Sequence, residues 1–439
     1  MTAILISAIM GLTAIAELIF YAFKDRSTSF ILGPAFSNVG RIDHFIDLQV
    51  VTLNGASCSR PLETIYEKGC YFNQTNIPRL FISLARFIGV GKEDTLWVGV
   101  AIGAIAIAAI LLAYALCLRQ WRLVMATACG LLLYPFRLAL ERGNIDLIIL
   151  IILIFSGLLA AARPPSVLKT SLLTGLFVMG SLGKVYPLLL TPLLILNYKE
   201  ILPRRLSLLA AVIPMAIASA SFAGLWPDLQ AMLRESYKDV DGGLSYGLTT
   251  LVESNLGGIG LLGLKLALII LIASSALSAS DPFGIQSLAC AVRRSLASVK
   301  SRDRLAGILF VIGGTLLAGT YFIFINGIYR ISVPFLLILP AIIQSLRFGP
   351  ASANKPGQTL SDPQSISGIS FLLVIIVCIG VAGYRPYDAG SNLQHYTNLF
   401  LNLILIPSAI GAVGTALVLV LFPGSLFHDN QVEGSRRSG

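Results

Sequence analysis

The feature that most constrains this chain is a series of apolar runs, each long enough to cross a membrane as a helix. Ten of them lie at about 2–22, 96–117, 123–140, 145–162, 206–224, 256–279, 305–325, 331–346, 367–384 and 399–422. The 439 residues are 56% hydrophobic and only 12% charged, which excludes an ordinary soluble globular protein and a disordered chain. We therefore expect an all-α polytopic membrane protein.

A further apolar stretch, at about 167–198, is too long for one helix and is broken at Gly183-Lys184-Val185-Tyr186-Pro187. Basic residues flank it on both sides, at Arg163, Lys169, Lys199, Arg204 and Arg205. Because Lys and Arg concentrate in short cytoplasmic loops, both flanks are expected in the cytoplasm. The stretch then enters the membrane and returns as two short helices, which brings the total to about twelve membrane segments.

The other short basic loops follow the same alternation, which predicts cytoplasmic termini and an extracytoplasmic first loop at 23–95. Residues 1–422 are expected to form one integral-membrane domain. Residues 423–439 are rich in Gly and Ser and are predicted to be a disordered cytoplasmic tail. The net charge of +10 sits mostly in loops and forms no basic stripe with interleaved aromatic residues, so nucleic acid is not an expected partner.

The first loop carries a helical pattern and a pair of cysteines. Apolar residues recur there at helical spacing, which predicts an amphipathic helix on the membrane surface within about 60–90, at Leu80, Phe81, Leu84, Phe87 and Ile88. Cys58 and Cys70 share this polar loop, and they can form a disulfide if it faces an oxidising compartment. The alternative is two buried thiols.

Three cations lie at segment boundaries on the predicted outer side. Arg142 lies in Leu140-Glu141-Arg142-Gly143-Asn144-Ile145-Asp146, Lys184 lies at the break described above, and Arg330 precedes the run at 331–346. A charge is costly in hydrocarbon, and three cations at one depth suit a phosphate at the level of the lipid headgroups. The alternative is snorkelling to lipid headgroups, with local pairing of Arg142 to Glu141 or Asp146.

Two acids in the first loop, Asp43 and Asp47, are candidate general bases. If the segment is helical, their four-residue spacing places both carboxylates on one face. A carboxylate near a low-dielectric interface can take a proton from a hydroxyl. The alternative is a solvated pair on a surface helix. No spacing typical of metal ligands occurs, and neither a metal nor another cofactor is predicted.

The order of these motifs resembles the GT-C class of integral-membrane glycosyltransferases, and within it glycosyltransferase family 87, the alpha-mannosyltransferase-like branch. The residues that carry the resemblance span about 40–335: Asp47-Leu48, Cys58 with Cys70, Arg142-Gly143-Asn144, Lys184-Val185-Tyr186-Pro187, Ser245-Tyr246-Gly247-Leu248 and Asn326-Gly327-Ile328-Tyr329-Arg330. The step Ile77-Pro78-Arg79 lacks the Tyr that usually precedes the proline in a bacterial subgroup of the family.

The resemblance implies a sugar transfer on the extracytoplasmic face, in a membrane such as the bacterial inner membrane. The donor would be a polyprenyl-phosphate sugar, the acceptor a lipid- or glycan-linked hydroxyl, and membrane lipids the surroundings. Asp47 or Asp43 would be the base of an inverting displacement, and Arg142, Lys184 and Arg330 would bind the donor phosphate. Asn144, Tyr186, Asn326 and Tyr329 would support them.

Two other functions fit a chain of this kind. A twelve-helix secondary transporter usually shows two related halves, whereas the long first loop has no counterpart in the second half of this sequence. A lipid-linked-sugar flippase component would keep the cations but would not need Asp47.

Overall fold

The structure of the protein is a computed structural model. It describes residues 1–23, 45–53, 79–162, 166–184, 186–198, 201–223, 245–248, 258–276, 278, 281–323, 326–346, 372–378 and 400–421. Several predictions fall outside these ranges and stay predictions: the acid at Asp43, the Cys58–Cys70 pairing and the tail at 423–439.

The described chain is built almost entirely of helices. In the first half these are α1 Thr2–Phe23, α2 Arg79–Ile88, α3 Thr95–Cys117, α4 Trp121–Leu132, α5 Tyr134–Arg142, α6 Asp146–Ala161, α7 Val167–Gly183 and α8 Thr191–Tyr198. In the second half they are α9 Arg204–Ala223, α10 Gly258–Ala276, α11 Ile285–Ala297, α12 Ser301–Ile323, α13 Ser332–Ser345, α14 at 372–378 and α15 Ile406–Leu421.

Irregular helical turns lie between these helices. One α-helical turn, Ile46–Leu48, continues into a π-helical segment, Gln49–Leu53. Short 3-10 helices occur at Lys92–Asp94, Tyr186–Leu190 and Ile328–Ile331, and π-helical residues Leu401–Leu405 precede α15. In the described part of the chain the β structure is one antiparallel pair, β1 Ser245–Tyr246 with β2 Asn326–Gly327.

By length and composition, four helical stretches among the described residues can cross a membrane: Thr2–Phe20, Lys92–Cys117, Ser301–Phe322 and Leu401–Leu421. A fifth is added if the bent pair α4 and α5 counts as one span. Six shorter apolar helices of 10–17 residues accompany them. The chain is thus a helical membrane protein, and the count of twelve segments stays a prediction.

The apolar run at 123–140 is not the single helix that the sequence predicts. It divides into α4 and α5, whose axes differ by 57°. Leu133 between them is extended, with ψ at 117°, and Pro135 occupies the first turn of α5. Proline has no N–H for the preceding turn and clashes with its carbonyl, so the helix stops and restarts there. The bend directs the C-terminus of α5, with Arg142, toward the start of α6.

Helix α12 is the centre of the bundle. It packs against α13, α6, α11, α15, α3 and the 3-10 helix at Tyr186–Leu190. Glycines permit the closest of these approaches. A β-carbon at Gly319 would come within 2.4 Å of the Leu189 side chain, and one at Gly313 within 2.7 Å of the Pro334 carbonyl. This packing fixes the segments that precede and follow α12, including the one with Arg330.

Two helices lie in regions that the sequence assigns to loops. Helix α2 falls within the first loop, where the pattern predicts a helix. It is amphipathic, and it buries Phe81, Ile82 and Ala85 while the apolar Leu84 and Phe87 are exposed; its position on a membrane surface stays a prediction. Helix α11 was not predicted.

The start of α11 has a local explanation. The carboxylate of Asp281 accepts hydrogen bonds from the backbone N–H groups of Gln286 and Ser287. Such side-chain acceptors satisfy the unpaired donors of a first helical turn.

Candidate functional site

The carboxylate of Asp146 lies at the centre of a buried ionic group. Asp146 is the first residue of α6, and its side chain is 2% exposed. The Tyr186 hydroxyl donates to its Oδ1 at 3.0 Å, and Lys184 Nζ lies 3.2 Å from the same oxygen. Arg330 Nε lies 3.5 Å from Oδ2. The Asp146 carboxylate is therefore in contact with polar groups from two other parts of the chain, one at 184–186 and one at Arg330.

A second carboxylate, Asp47, adjoins this group through Arg142 and Asn144. Arg142 Nε lies 3.0 Å from each Asp47 oxygen, and its Nη2 donates to Oδ1 at 2.6 Å. Asn144 Nδ2 donates to Asp47 Oδ2 at 2.6 Å, while its Oδ1 accepts the backbone N–H of Asp146 at 2.9 Å. Asn144 thus links the two acids. We call Asp47, Arg142, Asn144, Asp146, Lys184, Tyr186 and Arg330 the ionic cluster.

The backbone at Gly143 is what permits Asp47 to approach. Gly143 ends α5 in the left-handed region, at φ 59° and ψ 37°, where glycine carries no steric penalty. A β-carbon at Gly143 would come within 2.8 Å of the Phe45 β-carbon and 3.1 Å of that of Leu48. The helical turn with Asp47 therefore lies directly on the end of α5.

Phe45 anchors that turn. Its side chain is fully buried, and a β-carbon at Gly99 on α3 would come within 2.3 Å of its ring. Its backbone N–H donates to the Glu141 carbonyl at 3.1 Å. Phe45 itself has a positive φ of 58°, a conformation that costs a bulky residue on the order of 1 kcal/mol. Burial of the ring holds the turn in place despite that strain.

Lys184 reaches the cluster because α7 ends just before it. It is the C-cap of α7, and a β-carbon at the preceding Gly183 would come within 2.3 Å of the Phe81 ring on α2. The Lys184 side chain is only 4% exposed. Burial of an ammonium group is unfavourable without a counter-charge, and Asp146 provides one. Helix α2 of the first loop thus covers the turn that carries Lys184.

Arg330 reaches the cluster from the C-terminal end of α12. The strand β2 leads into the 3-10 helix Ile328–Ile331, which packs on α5. In β2, Asn326 pairs with Tyr246 and Gly327 with Ser245. Two segments that the sequence singles out separately, 245–248 and 326–330, are therefore hydrogen-bonded to each other beside the cluster.

Exposure divides the cluster into an outer and an inner part. The side chains of Arg142 and Asp47 are 29% and 14% exposed, whereas that of Asp146 is 2% exposed.

Three cations and two carboxylates make the cluster positive by one charge. Glu141 and Arg137, both buried on α5, contribute one charge of each sign and leave that excess unchanged. The excess charge and the open outer part suit an anion that approaches along Arg142.

The structure brings most of the predicted site residues together. Arg142, Lys184, Arg330, Asp47, Asn144 and Tyr186 all belong to the ionic cluster. The backbones of Asn326 and Tyr329 lie next to it, and their side chains are not among the described parts of the structure. The cations converge on shared carboxylates, so a set of unconnected local ion pairs does not describe them.

Two features differ from the expectation. Transfer across a bound sugar requires a carboxylate several ångströms away from the cations that bind the phosphate, whereas Asp47 is bound directly by Arg142. The sequence also treats Asp146 only as a local partner for Arg142, and the structure places it between Lys184 and Arg330. One sequence signal could have identified Asp146 as a site residue. It is an acid in the first turn of an otherwise apolar helix, and such a carboxylate needs a partner in a membrane protein.

Comparison with family models, with curated proteins and with solved structures gives no match for this chain. The resemblance to the GT-C class therefore rests on the sequence motifs and their order alone.

Proposed function

We propose that the protein is a membrane glycosyltransferase that moves a hexose, of the mannose type, from a polyprenyl-phosphate donor to a lipid- or glycan-linked hydroxyl. The observation that supports this most directly is the ionic cluster, in which three cations and two acids from separate segments meet with one positive charge in excess. A phosphodiester that links a lipid to a sugar carries one negative charge and would balance it.

In this proposal the cations bind the donor phosphate and stabilise the charge that grows on it. The acceptor hydroxyl attacks the anomeric carbon, the bond from that carbon to the phosphate oxygen breaks, and polyprenyl phosphate leaves with the electron pair. Cations already in place around the leaving group stabilise the transition state more than the ground state. A single displacement of this kind inverts the anomeric centre.

Asp47 is the proposed base, and it accepts the proton of the attacking hydroxyl. It is the more exposed of the two acids in the cluster, at 14% against 2% for Asp146. Arg142 covers both of its oxygens. The donor phosphate would replace the Asp47 carboxylate on Arg142, which leaves Asp47 available to the acceptor. Asp146 keeps Lys184 and Arg330 in position.

The proposed topology has about twelve membrane segments, cytoplasmic termini and the cluster on the extracytoplasmic face. Its test is cysteine labelling with a membrane-impermeant reagent at Ser57→Cys and Ser361→Cys, two positions outside the described ranges. We expect labelling from opposite sides of the membrane, and labelling of both from the same side would contradict the topology.

The function is tested with the purified protein in liposomes that contain polyprenyl-phosphate mannose with a radiolabelled sugar and an acceptor lipid. We expect Asp47→Asn to lower the transfer rate by about 100-fold or more, the usual contribution of a general base, while donor binding is retained. Lys184→Ala and Arg330→Ala are expected to weaken donor binding as well. Asp94→Asn is the matched control, because this exposed acid accepts the N–H of nearby Gly91 and is not a member of the ionic cluster.

The alternatives give different outcomes in the same liposomes. A flippase component would move the labelled donor across the bilayer without transfer, and Asp47→Asn would not change that movement. A secondary transporter would show neither transfer nor a response to the donor. Full transfer by Asp47→Asn would contradict the assignment of the base.

A further inference from the structure

A lysine outside the ionic cluster is buried in the helix α10. Lys265 is 0% exposed, and its helix is otherwise apolar apart from small hydroxyl residues. Its Nζ donates to the carbonyl of Gly247 at 2.6 Å, lies 3.4 Å from that of Leu248, and sits 5.8 Å from the centre of the Tyr321 ring. Among the described residues, these carbonyls and this ring are the partners of its ammonium group. Burial of a cation with carbonyls alone is unfavourable, so its retention in a membrane helix points to a role.

The segment that Lys265 holds is attached to the bundle at two further places. The Leu248 N–H donates to the Tyr321 carbonyl near the C-terminus of α12, at 2.9 Å. The residues just before it form β1, paired with β2. Gly247 has a positive φ of 138°, which turns the chain between the strand and Leu248. Lys265 thus binds, from within the bundle, the two residues that directly follow β1.

The strand β2 connects this support to the ionic cluster. Directly after β2 comes the 3-10 helix with Arg330, whose Nε faces Asp146 at 3.5 Å. A displacement of β1 would therefore also displace β2 and the segment that carries Arg330. Within the described part of the chain, the contacts named above are those that hold residues 245–248.

We propose that Lys265 is a positioning residue: by holding the Gly247 and Leu248 carbonyls, it fixes the β1–β2 pair and so the place at which Arg330 enters the ionic cluster. The role of Arg330 toward a donor phosphate rests on the proposed function, whereas the mechanical link from Lys265 to the strand pair does not.

The link is tested by amide hydrogen exchange on the full chain. Lys265→Met keeps the length of the side chain and removes the donor. We expect exchange in peptides that contain residues 245–248 to become about tenfold faster, since one charge-assisted hydrogen bond is lost and exchange follows the population of the open state. Peptides from the middle of α12 should exchange at the parent rate. Lys265→Arg retains a donor and should restore protection.

Lys169→Met is the matched control, because Lys169 is also buried and also donates to a backbone carbonyl, that of Ala162, at the other end of the bundle. It should leave exchange at 245–248 unchanged. Unchanged exchange in Lys265→Met would overturn the proposal, and so would an equal acceleration by Lys169→Met, which would indicate general destabilisation.

The connection to Arg330 is tested by transfer kinetics. In Lys265→Met the KM for the polyprenyl-phosphate donor should rise about tenfold while kcat changes less, because donor binding is impaired more than the chemistry. An unchanged KM beside faster exchange would overturn the connection to Arg330. If the parent chain transfers no sugar, the proposed function fails, and the exchange measurements still decide the role of Lys265.

Discussion

The two ends of the helical bundle both use basic side chains that are buried or half-buried, but they use them differently. At one end, Arg142, Lys184 and Arg330 meet carboxylates in the ionic cluster. At the other end, basic side chains donate to backbone carbonyls at the C-termini of neighbouring helices: Arg122 to Leu346 at 2.7 Å, Arg302 to Leu118 at 2.8 Å, Arg293 to Leu419 and Lys169 to Ala162. We call these four residues the capping set.

The capping set has a general explanation. The last carbonyls of a helix have no partner within the helix and carry a partial negative charge, so a cation stabilises them. Leu346, Leu118 and Ala162 are the C-caps of α13, α3 and α6. These cations therefore complete helix ends, whereas those of the ionic cluster are held by two acids, one in the first turn of α6 and one in the short helical turn Ile46–Leu48. A count of Lys and Arg does not distinguish the two ends; the acids and the breaks in the helices do.

The largest effect is expected when the central acid of the ionic cluster is neutralised. Asp146→Asn leaves two buried cations, Lys184 and Arg330, without their shared counter-charge. Removal of one partner from a buried ionic group costs about 3–5 kcal/mol. We expect a loss of that size in the free energy of unfolding, measured by SDS titration in mixed micelles, together with loss of sugar transfer. A loss below that of the capping-set variant Arg302→Gln would contradict the distinction between the two ends.

A direct comparison replaces one buried lysine at each end by methionine. Lys184→Met removes a cation from the ionic cluster and should lower affinity for the polyprenyl-phosphate donor by about tenfold or more, as expected for a lost charge-assisted contact. Lys169→Met removes a helix-capping cation and should leave donor affinity unchanged. The measurement is binding of labelled donor lipid to each variant in nanodiscs. Equal losses in the two variants would show that the ends do not differ in function.

The contact between the Asp47 turn and α5 depends on one glycine. Gly143→Ala places a β-carbon 2.8 Å from that of Phe45, in a backbone conformation with φ 59°. We expect the free energy of unfolding to fall by about 1–3 kcal/mol and sugar transfer to weaken, because Asp47 is displaced. Gly175→Ala on α7 is the control. A β-carbon there meets no atom within 4 Å, and alanine should stabilise the helix by about 0.5–1 kcal/mol. The same sign for both variants would argue against close packing at Gly143.

The smallest effect is expected at the opposite end. Arg302→Gln removes a cation from the C-terminus of α3 and should lower the free energy of unfolding by about 1 kcal/mol. Transfer activity and donor affinity should match those of the parent chain, because the capping set is remote from the ionic cluster. Reduced donor affinity without a change in stability would show that this end also contributes to binding.

The sequence predicts the convergence of Arg142, Lys184 and Arg330 because alternation of the basic loops places all three at one side of the membrane. The sequence does not predict which groups pair with each other within the cluster. Asp146 and Lys184 are separated in the chain by α6 and α7, and no local pattern predicts that Lys184 and Arg330 share the Asp146 carboxylate. The pairing of 245–248 with 326–327 is equally long-range. Such contacts are set by the packing of α12, which depends on side-chain volumes across the whole bundle.

Two uninterrupted apolar runs were predicted well, whereas the run that contains Pro135 was not. Proline does not always break a helix here, since Pro214 and Pro340 lie inside the unbroken helices α9 and α13. The runs at 96–117 and 305–325 correspond to α3 and α12. The run at 123–140 contains Pro135 and breaks before it. Hydropathy measures only how apolar a stretch is, whereas the break before Pro135 follows from the backbone N–H that this proline lacks. The Asp281 cap and α11 were missed for a related reason, since α11 is amphipathic and carries basic residues.

The position of Asp146 also has a consequence for the biosynthesis of the protein. The helix α6 begins with this acid, but the chain segment with Arg330 is translated only after α7 to α12. Because translation proceeds at about 5–20 residues per second, Arg330 is synthesised on the order of ten seconds or more after Asp146. During that interval Lys184 and Tyr186 are the groups available to it. A ribosome that stops before Arg330 would therefore leave Asp146 in the bilayer without one of its two cationic partners, and such truncated chains should be preferred substrates of membrane quality-control proteases.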